Sequence, residues 1–239
     1  MSADSVIHGR PITVSLDHYY FQNIDTEEKA YWLGFIAADG CVHQNLGKWY
    51  FSIQLSSVDY EHLVKLKTAL GFSGKISRAS SSNKITGKIY SGVRFSARSS
   101  ALVGCLLDCG ITPRKSLTLE PWDGPPELMR HYWRGLIDGD GFIWKNQLHR
   151  DWAIGFCGSE AMVREFREYL AGVGVKGGSL SKYSEGHYRI RYCGTLITKT
   201  IVSLMYENCT VYLERKMSKA LELMSLEVKE AYYERRRPS

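Results

Sequence analysis

Between Tyr50 and Ser56 the chain alternates strictly, with Phe51, Ile53 and Leu55 facing one way and Tyr50, Ser52, Gln54 and Ser56 the other. That period of two predicts a strand with one buried and one wet face. From Asp59 to Leu70 the period becomes helical, and Leu63, Leu66 and Leu70 fall on one stripe. Residues 74–98 return to alternation as a hairpin, Ile89, Val93 and Phe95 against Lys88, Tyr90 and Arg94, and Ser99 to Cys109 reads as a closing helix. Ahead of these, Asp25-Thr26-Glu27-Glu28 carries the cap-and-glutamate signature that opens a helix. The same order recurs downstream. Trp152, Ile154 and Phe156 alternate, Ser159 to Leu170 is helical, and His187, Arg189 and Arg191 alternate against Tyr188, Ile190 and Tyr192.

The recurrence is a duplication. Residues 31–43 read YWLGFIAADGCVH and residues 132–144 read YWRGLIDGDGFIW, which places Asp39 and Asp140 at an offset of 101. Pro113-Arg114-Lys115-Ser116 and Glu214-Arg215-Lys216-Met217 match far downstream at the same offset, 115 to 216. Each unit then reads helix, two strands, helix, two strands, helix. The expected organisation is an N-terminal arm over 1–23, a first repeat over 24–120, a linker over 121–126, a second repeat over 127–225 and a basic tail over 226–239. Pro125 and Pro126 end the linker and suit the opening of a helix.

Composition narrows the class. With 239 residues, 44% hydrophobic and 23% charged, the chain can bury a core and is neither disordered nor membrane-spanning in character. The formal net charge of +6 suits an anionic partner such as nucleic acid without requiring one. None of the six cysteines forms a C-x-x-C pair, so reduced thiols are expected rather than disulfides or zinc ligands. Residues 1–10 hold no apolar signal-peptide core and no apolar run reaches membrane-spanning length. The expectation is a soluble, intracellular protein with no membrane association, in a bacterial or phage-infected cytoplasm or an organelle.

The repeated segment carries the chemistry. Gly34 and Ala38, like Gly135 and Gly139, lie four apart and leave a flat stripe on which two helix backbones can approach. Trp32, Phe35 and Ile36, with Trp133, Leu136 and Ile137, supply apolar surface to the two half-cores. Packing one copy on the other gives internal pseudo-two-fold symmetry and sets Asp39 beside Asp140, each at a helix C-terminus. Two carboxylates there repel one another and the helix dipoles, an arrangement that makes sense around a divalent cation. Few, oxygen-only ligands suit Mg²⁺, with Mn²⁺ or Ca²⁺ able to substitute for binding.

Residues 32–40, WLGFIAADG, and 133–141, WRGLIDGDG, resemble the LAGLIDADG motif, and the chain from about Ile24 to about Glu222 resembles a two-motif, monomeric LAGLIDADG homing endonuclease. The resemblance implies an α+β fold of two αββαββα repeats forming a saddle of antiparallel sheets, with the motif helices packed at its centre. It implies site-specific cleavage of double-stranded DNA by a monomer of mobile-element origin, with no obligate protein partner. Asp39 and Asp140 would hold the metal, with backbone carbonyls of Ala38 and Gly139 available to it. Lys115 and Lys216 would sit near the scissile phosphates, and Gln54 would hold the water network on one side only, since the 101 offset leads to Gly155. Ala37 stands where the motif carries an earlier aspartate, which Asp138 retains.

In that arrangement each wet sheet face lies in a major groove and spans about nine base pairs per half, on an imperfectly palindromic site. The expected contacts are Lys48, Tyr50, Ser52, Gln54, Lys75, Arg78, Lys88 and Arg94 in the first half. In the second they are Lys145, Gln147, His149, Arg150, Lys182, His187, Arg189 and Arg191. An RNA-binding maturase and a non-catalytic DNA-binding regulator are the rival readings. Retention of Asp39, Asp140 and both lysines favours cleavage.

Overall fold

Two helices with glycine at their contact organise the molecule. In this computed structural model, which describes residues 14–82, 86–148 and 151–227, α1 (Glu27–Asp39) and α4 (Pro126–Gly139) are the two motif helices. Thr26 caps α1, its hydroxyl accepting from the Lys29 amide at 3.3 Å, while Asp25 pairs with the Lys29 ammonium at 2.9 Å. Pro126 opens α4, where its missing N–H costs nothing. A methyl placed on Gly34 would lie 1.9 Å from the carbonyl oxygen of Tyr132, and one on Gly135 would lie 2.0 Å from that of Tyr31. The two backbones touch, and only glycine fits.

Each motif helix runs directly into a four-stranded antiparallel sheet. After α1 come β1 (Gly40–Asn45), β2 (Lys48–Ser56), α2 (Tyr60–Ala69), β3 (Ser77–Ser82), β4 (Ile89–Arg98) and α3 (Ser100–Asp108). After α4 come β5 (Gly141–Asn146), β6 (Asp151–Gly158), α5 (Glu160–Gly172), β7 (Ser179–Ser184), β8 (His187–Cys193), α6 (Thr195–Tyr206) and α7 (Glu214–Met224). Strand orders are β1-β2-β4-β3 and β5-β6-β8-β7, so the two halves share one topology. Ser99 and Ser159 cap α3 and α5 through their hydroxyls. Buried faces of both sheets, Phe51, Ile53 and Phe95 in one and Trp152, Ile154 and Phe156 in the other, join the motif-helix aromatics in one continuous core.

Three details differ from the sequence expectation. Ile89 has the inward parity of Val93 and Phe95 yet is 73% exposed, because it lies at the outer end of β4. A seventh helix, α7, ends the second repeat, whereas the first repeat has only a 3₁₀ turn at the equivalent Lys115–Leu117. The offset between the halves also drifts. It is 101 at the motifs, 103 in β2 and β6 (Ile53 and Phe156 each pair the first residue after the aspartate-bearing segment), and 95 in β4 and β8 (Phe95 and Ile190). It returns to 101 at Lys115 and Lys216 because a longer β5–β6 turn, a shorter second hairpin and a longer α6 region cancel.

A buried polar network secures one flank of the motif-helix pair. The Arg134 guanidinium, fully buried, donates to Glu27 Oε1 (2.8 Å), His131 Nδ1 (2.8 Å) and the carbonyls of Met205 and Val211. The Asp138 carboxylate, also fully buried, accepts from Tyr31 (2.7 Å), Tyr206 (2.6 Å) and the Leu213 amide (2.7 Å). Tyr31 spends its one hydroxyl proton on Asp138, so His62 Nε2 is the donor in the 3.0 Å contact between His62 and Tyr31. The opposite flank has Leu33 and Ala37 in the equivalent places, both buried and apolar.

Candidate active site

Asp39 ends α1 and Asp140 caps α4, each one residue before the first strand of its sheet. The glycine contact brings the helix ends together. A methyl on Gly139 would meet the Ala38 side chain at 2.4 Å and Asp39 Oδ2 at 3.1 Å. Burial first, and then the Asp140 charge, push the Asp39 carboxyl up to about 7 against the pull of Lys115 and Arg215. Asp140 keeps an accessible edge but lies in a recess, and loss of surrounding solvent raises its pKa against Lys115, Lys216 and His187. Two carboxyls held side by side in a cleft resist ionising together, and a cation between them would relieve that cost.

The two lysines expected near the scissile phosphates, Lys115 and Lys216, lie at the ends of the motif helices. Both are buried, 7% and 4% exposed. Lys115 Nζ donates to the carbonyls of Gly40 (2.6 Å) and Ala38 (3.3 Å), and Lys216 Nζ to those of Ile137 (2.8 Å) and Gly141. Each therefore caps the C-terminal end of its own motif helix, where its charge opposes the helix dipole. Desolvation lowers both pKa values, that of Lys216 to about 8. Beside Asp39 stands an ion pair that the sequence did not announce, Arg215 Nε on Asp59 Oδ1 at 3.1 Å.

Residues able to hold a metal are the two aspartates together with backbone oxygens. Among the described residues no group of three or more His, Cys, Asp or Glu side chains is placed to bind one. That donor set matches a hard cation that keeps water and takes ligand phosphate oxygens. The Ala38 carbonyl is already engaged by Lys115.

Pairing registers sort the expected nucleic-acid contacts by face, because directly opposed residues share a side of the sheet. Lys48, Tyr50, Ser52, Gln54 and Arg94 lie on the wet face of the first sheet. His187, Arg189 and Arg191 lie on that of the second. Lys75, Lys88 and Gln147 occupy the loops at the sheet ends. Three residues move off the expected face. Arg78 pairs with inward-facing Val93, Lys145 with Trp152 and Lys182 with Tyr188, all on the helix-bearing side. Lys145 is there engaged by Glu222 at 2.6 Å and Lys182 by Glu185 at 3.0 Å. His149, Arg150 and the basic tail from residue 228 onward lie outside the described residues.

Conversely, the wet faces carry residues the sequence reading passed over. His43 stacks on Tyr50 with centroids 5.5 Å apart, and Arg98 pairs opposite Tyr50. Trp144 lies under the Arg191 guanidinium at 5.7 Å, and Tyr183 under that of Arg189 at 4.6 Å. The alternation of Cys41, His43 and Asn45 held the signal for the first strand. Tyr183 lies at a register shift between Lys182 and Ser184, a feature of strand pairing that has no sequence signature.

Two pseudo-symmetric αββαββα units joined through glycine-packed motif helices, with an aspartate at each helix end, constitute the fold of the two-repeat LAGLIDADG homing endonucleases. The meganuclease I-SmaMI, solved on uncleavable DNA, matches over 84% of this chain and 92% of its own, with a TM-score of 0.55 and 12% identity. The LAGLIDADG homing endonuclease I-LtrWI, solved on its target DNA, matches over 87% and 90% with a TM-score of 0.53 and 11% identity. I-GzeII, in complex with its DNA target, matches over 92% and 96% at a TM-score of 0.51 and 13% identity. No protein-family model matches the chain and no curated protein matches it in sequence. No helix among the described residues is long and apolar enough to cross a membrane.

Proposed function

We propose that the protein is a site-specific, divalent-metal-dependent endonuclease of double-stranded DNA, cutting a long, imperfectly palindromic site. The observation that carries this reading is the convergence of Asp39 and Asp140, with raised pKa values, between two wet sheet faces rich in arginine, lysine, histidine and tyrosine. Those faces suit β-ribbon contact with a major groove, and their different residues suit unequal half-sites. The DNA-bound endonucleases of the same fold support the substrate class.

The Asp39 and Asp140 carboxylates would hold Mg²⁺, and one neighbour of this fold is solved on uncleaved DNA with calcium. Bound there, a divalent cation supplies charge to a scissile phosphate and lowers the pKa of water. Lys115 and Lys216 fix the helix ends, so that each aspartate is delivered at a set height above its sheet. Their positive charge also offsets the carboxylate pair. Gln54, on the wet face in line with Asp39, orients water by hydrogen bonding.

Incubation of a randomised duplex library with Mg²⁺, alongside Asp39→Asn and Asp140→Asn, tests the reading. One long enriched sequence cut on both strands, and lost in either variant, is the expected outcome. Specific binding without cutting would make the protein a regulator. Tight binding only to structured RNA would make it a maturase.

A further inference from the structure

The drift in repeat offset changes which residues correspond at the two aspartates. Gly40 pairs with Ile53, so the next position along β2 brings Gln54 into line with Asp39. Gly141 pairs with Phe156, so the residue in line with Asp140 is Cys157, not Gly155. On the neighbouring strands, Arg94 opposes Gln54 and Arg189 opposes Cys157, which makes Gly92 the counterpart of His187.

These four positions exchange bulk between strands. In the first half the long side chain is on β2: a methyl on Gly92 would lie 3.5 Å from Gln54 Nε2 and 2.8 Å from the Leu55 carbonyl, so the space above Gly92 is taken. In the second half β6 carries the short thiol of Cys157, and the long side chain is His187 on β8. His187 enters a cavity of about 350 Å³ that it lines with Asp140, Lys115, Cys157, Ser159 and Tyr183. Its Nδ1 is 3.2 Å from Ser184 Oγ, which fixes the ring, and Arg189 Nε holds Cys157 Sγ aside at 3.5 Å.

On the endonuclease reading, we propose that His187 is the polar positioning residue of the Asp140 centre, in the role that Gln54 fills at the Asp39 centre. The protein then cuts its two DNA strands at chemically unlike centres, an amide serving one and an imidazole the other. The two groups stand at registers beside their aspartates, on different strands of the sheet. A ring nitrogen or an amide can each hydrogen-bond water or a phosphate oxygen there.

The test uses the DNA sequence recovered by library selection, labelled on each strand separately, with full-length protein and Mg²⁺. His187→Ala should slow one strand's cut about 10- to 100-fold while sparing the other, so that DNA nicked in a single strand accumulates. Gln54→Ala should accumulate the complementary nick. The double substitution Cys157→Gln with His187→Gly rebuilds the first half's arrangement in the second and should restore the slowed cut. Because both cuts come from one molecule, misfolding would slow both together, and the ratio of strand rates is the readout. Equal rates for the two strands in folded His187→Ala overturn the proposal, as does failure of the double substitution to restore the cut. Absence of any cutting by the wild-type protein would instead remove the endonuclease reading beneath it.

Discussion

Replacing Gly34 by alanine tests whether the helix contact sets the position of the aspartates. The added methyl would sit 1.9 Å from the Tyr132 carbonyl oxygen and 2.8 Å from its carbon. Ordinary carbon–oxygen contact is about 3.3 Å, so the helices must separate by about 1.4 Å. The obstruction is backbone on a helix held in the core, and no side chain can rotate away from it. Overpacking of this kind costs about 3 kcal/mol, the upper part of its usual range, or about 6–12 °C in Tm for a chain of this size. Gly104 supplies the control. It lies in α3, where an added methyl would meet nothing within 4 Å, and alanine there should stabilise by about 0.5–1 kcal/mol through helix propensity. Thermal and urea unfolding followed by circular dichroism would compare the two variants. If Gly34→Ala proved as stable as Gly104→Ala, the backbone contact would not be what holds the helices together, and the reasoning about aspartate placement would fail.

Other outcomes follow from the buried polar groups. Asp138→Asn sets an amide N–H₂ among three donors, and a loss of about 3–5 kcal/mol in urea unfolding is expected; a loss under about 1 kcal/mol would mean the network contributes little. Burial first, then Lys65 and Arg215, hold the His62 pKa down at about 3, against about 6.5 in the unfolded chain. The unfolded state therefore binds a proton below pH 6.5 that the folded state refuses. Stability should fall as pH drops from 6.5 towards 3, by up to about 1.4 kcal/mol per pH unit from this residue. His62→Gln should flatten that slope, and an unchanged slope between pH 6.5 and 5 would assign it elsewhere. Lys216→Met removes hydrogen bonds to two carbonyls but also a desolvated ammonium, whose burial costs about 3 kcal/mol to judge by its lowered pKa. Stability should stay within about 1 kcal/mol of wild type while DNA cutting is lost; retention of full cutting would refute a role in setting the Asp140 centre.

Much of this architecture was legible because the local signals agree with the tertiary result. The alternation at Tyr50 to Ser56, the helices read from Ser99 and from Ser159, and the doubled motif each survive in the structure. The glycine spacing foretold the helix contact, since nothing larger than glycine permits that approach. What stayed hidden depends on pairing register or on burial. Arg78, Lys145 and Lys182 are basic and near the sheets, but one step of register decides their face. Lys115 and Lys216 kept their equivalence at the constant offset, while nothing local to them announced that they cap helices from inside the core. A constant offset at the two ends also concealed the drift between them, and with it the correspondence of Gln54 to Cys157 and of Gly92 to His187.

The polar flank of the helix pair has a further meaning for assembly. Glu27 of the first half meets Arg134 of the second, whereas their symmetry mates are Leu128 and Leu33. Two copies of the first half would face leucine with an unanswered glutamate, and two copies of the second would bury arginine against leucine. Each half thus favours its own complement over a twin, as a charged position enforces partner choice in paired helices. The duplication retained a shared contact surface and then wrote into it a rule against self-association. Halves taken from this chain should therefore reassemble as a mixed pair, and a symmetric enzyme made from either one would first need that flank rewritten.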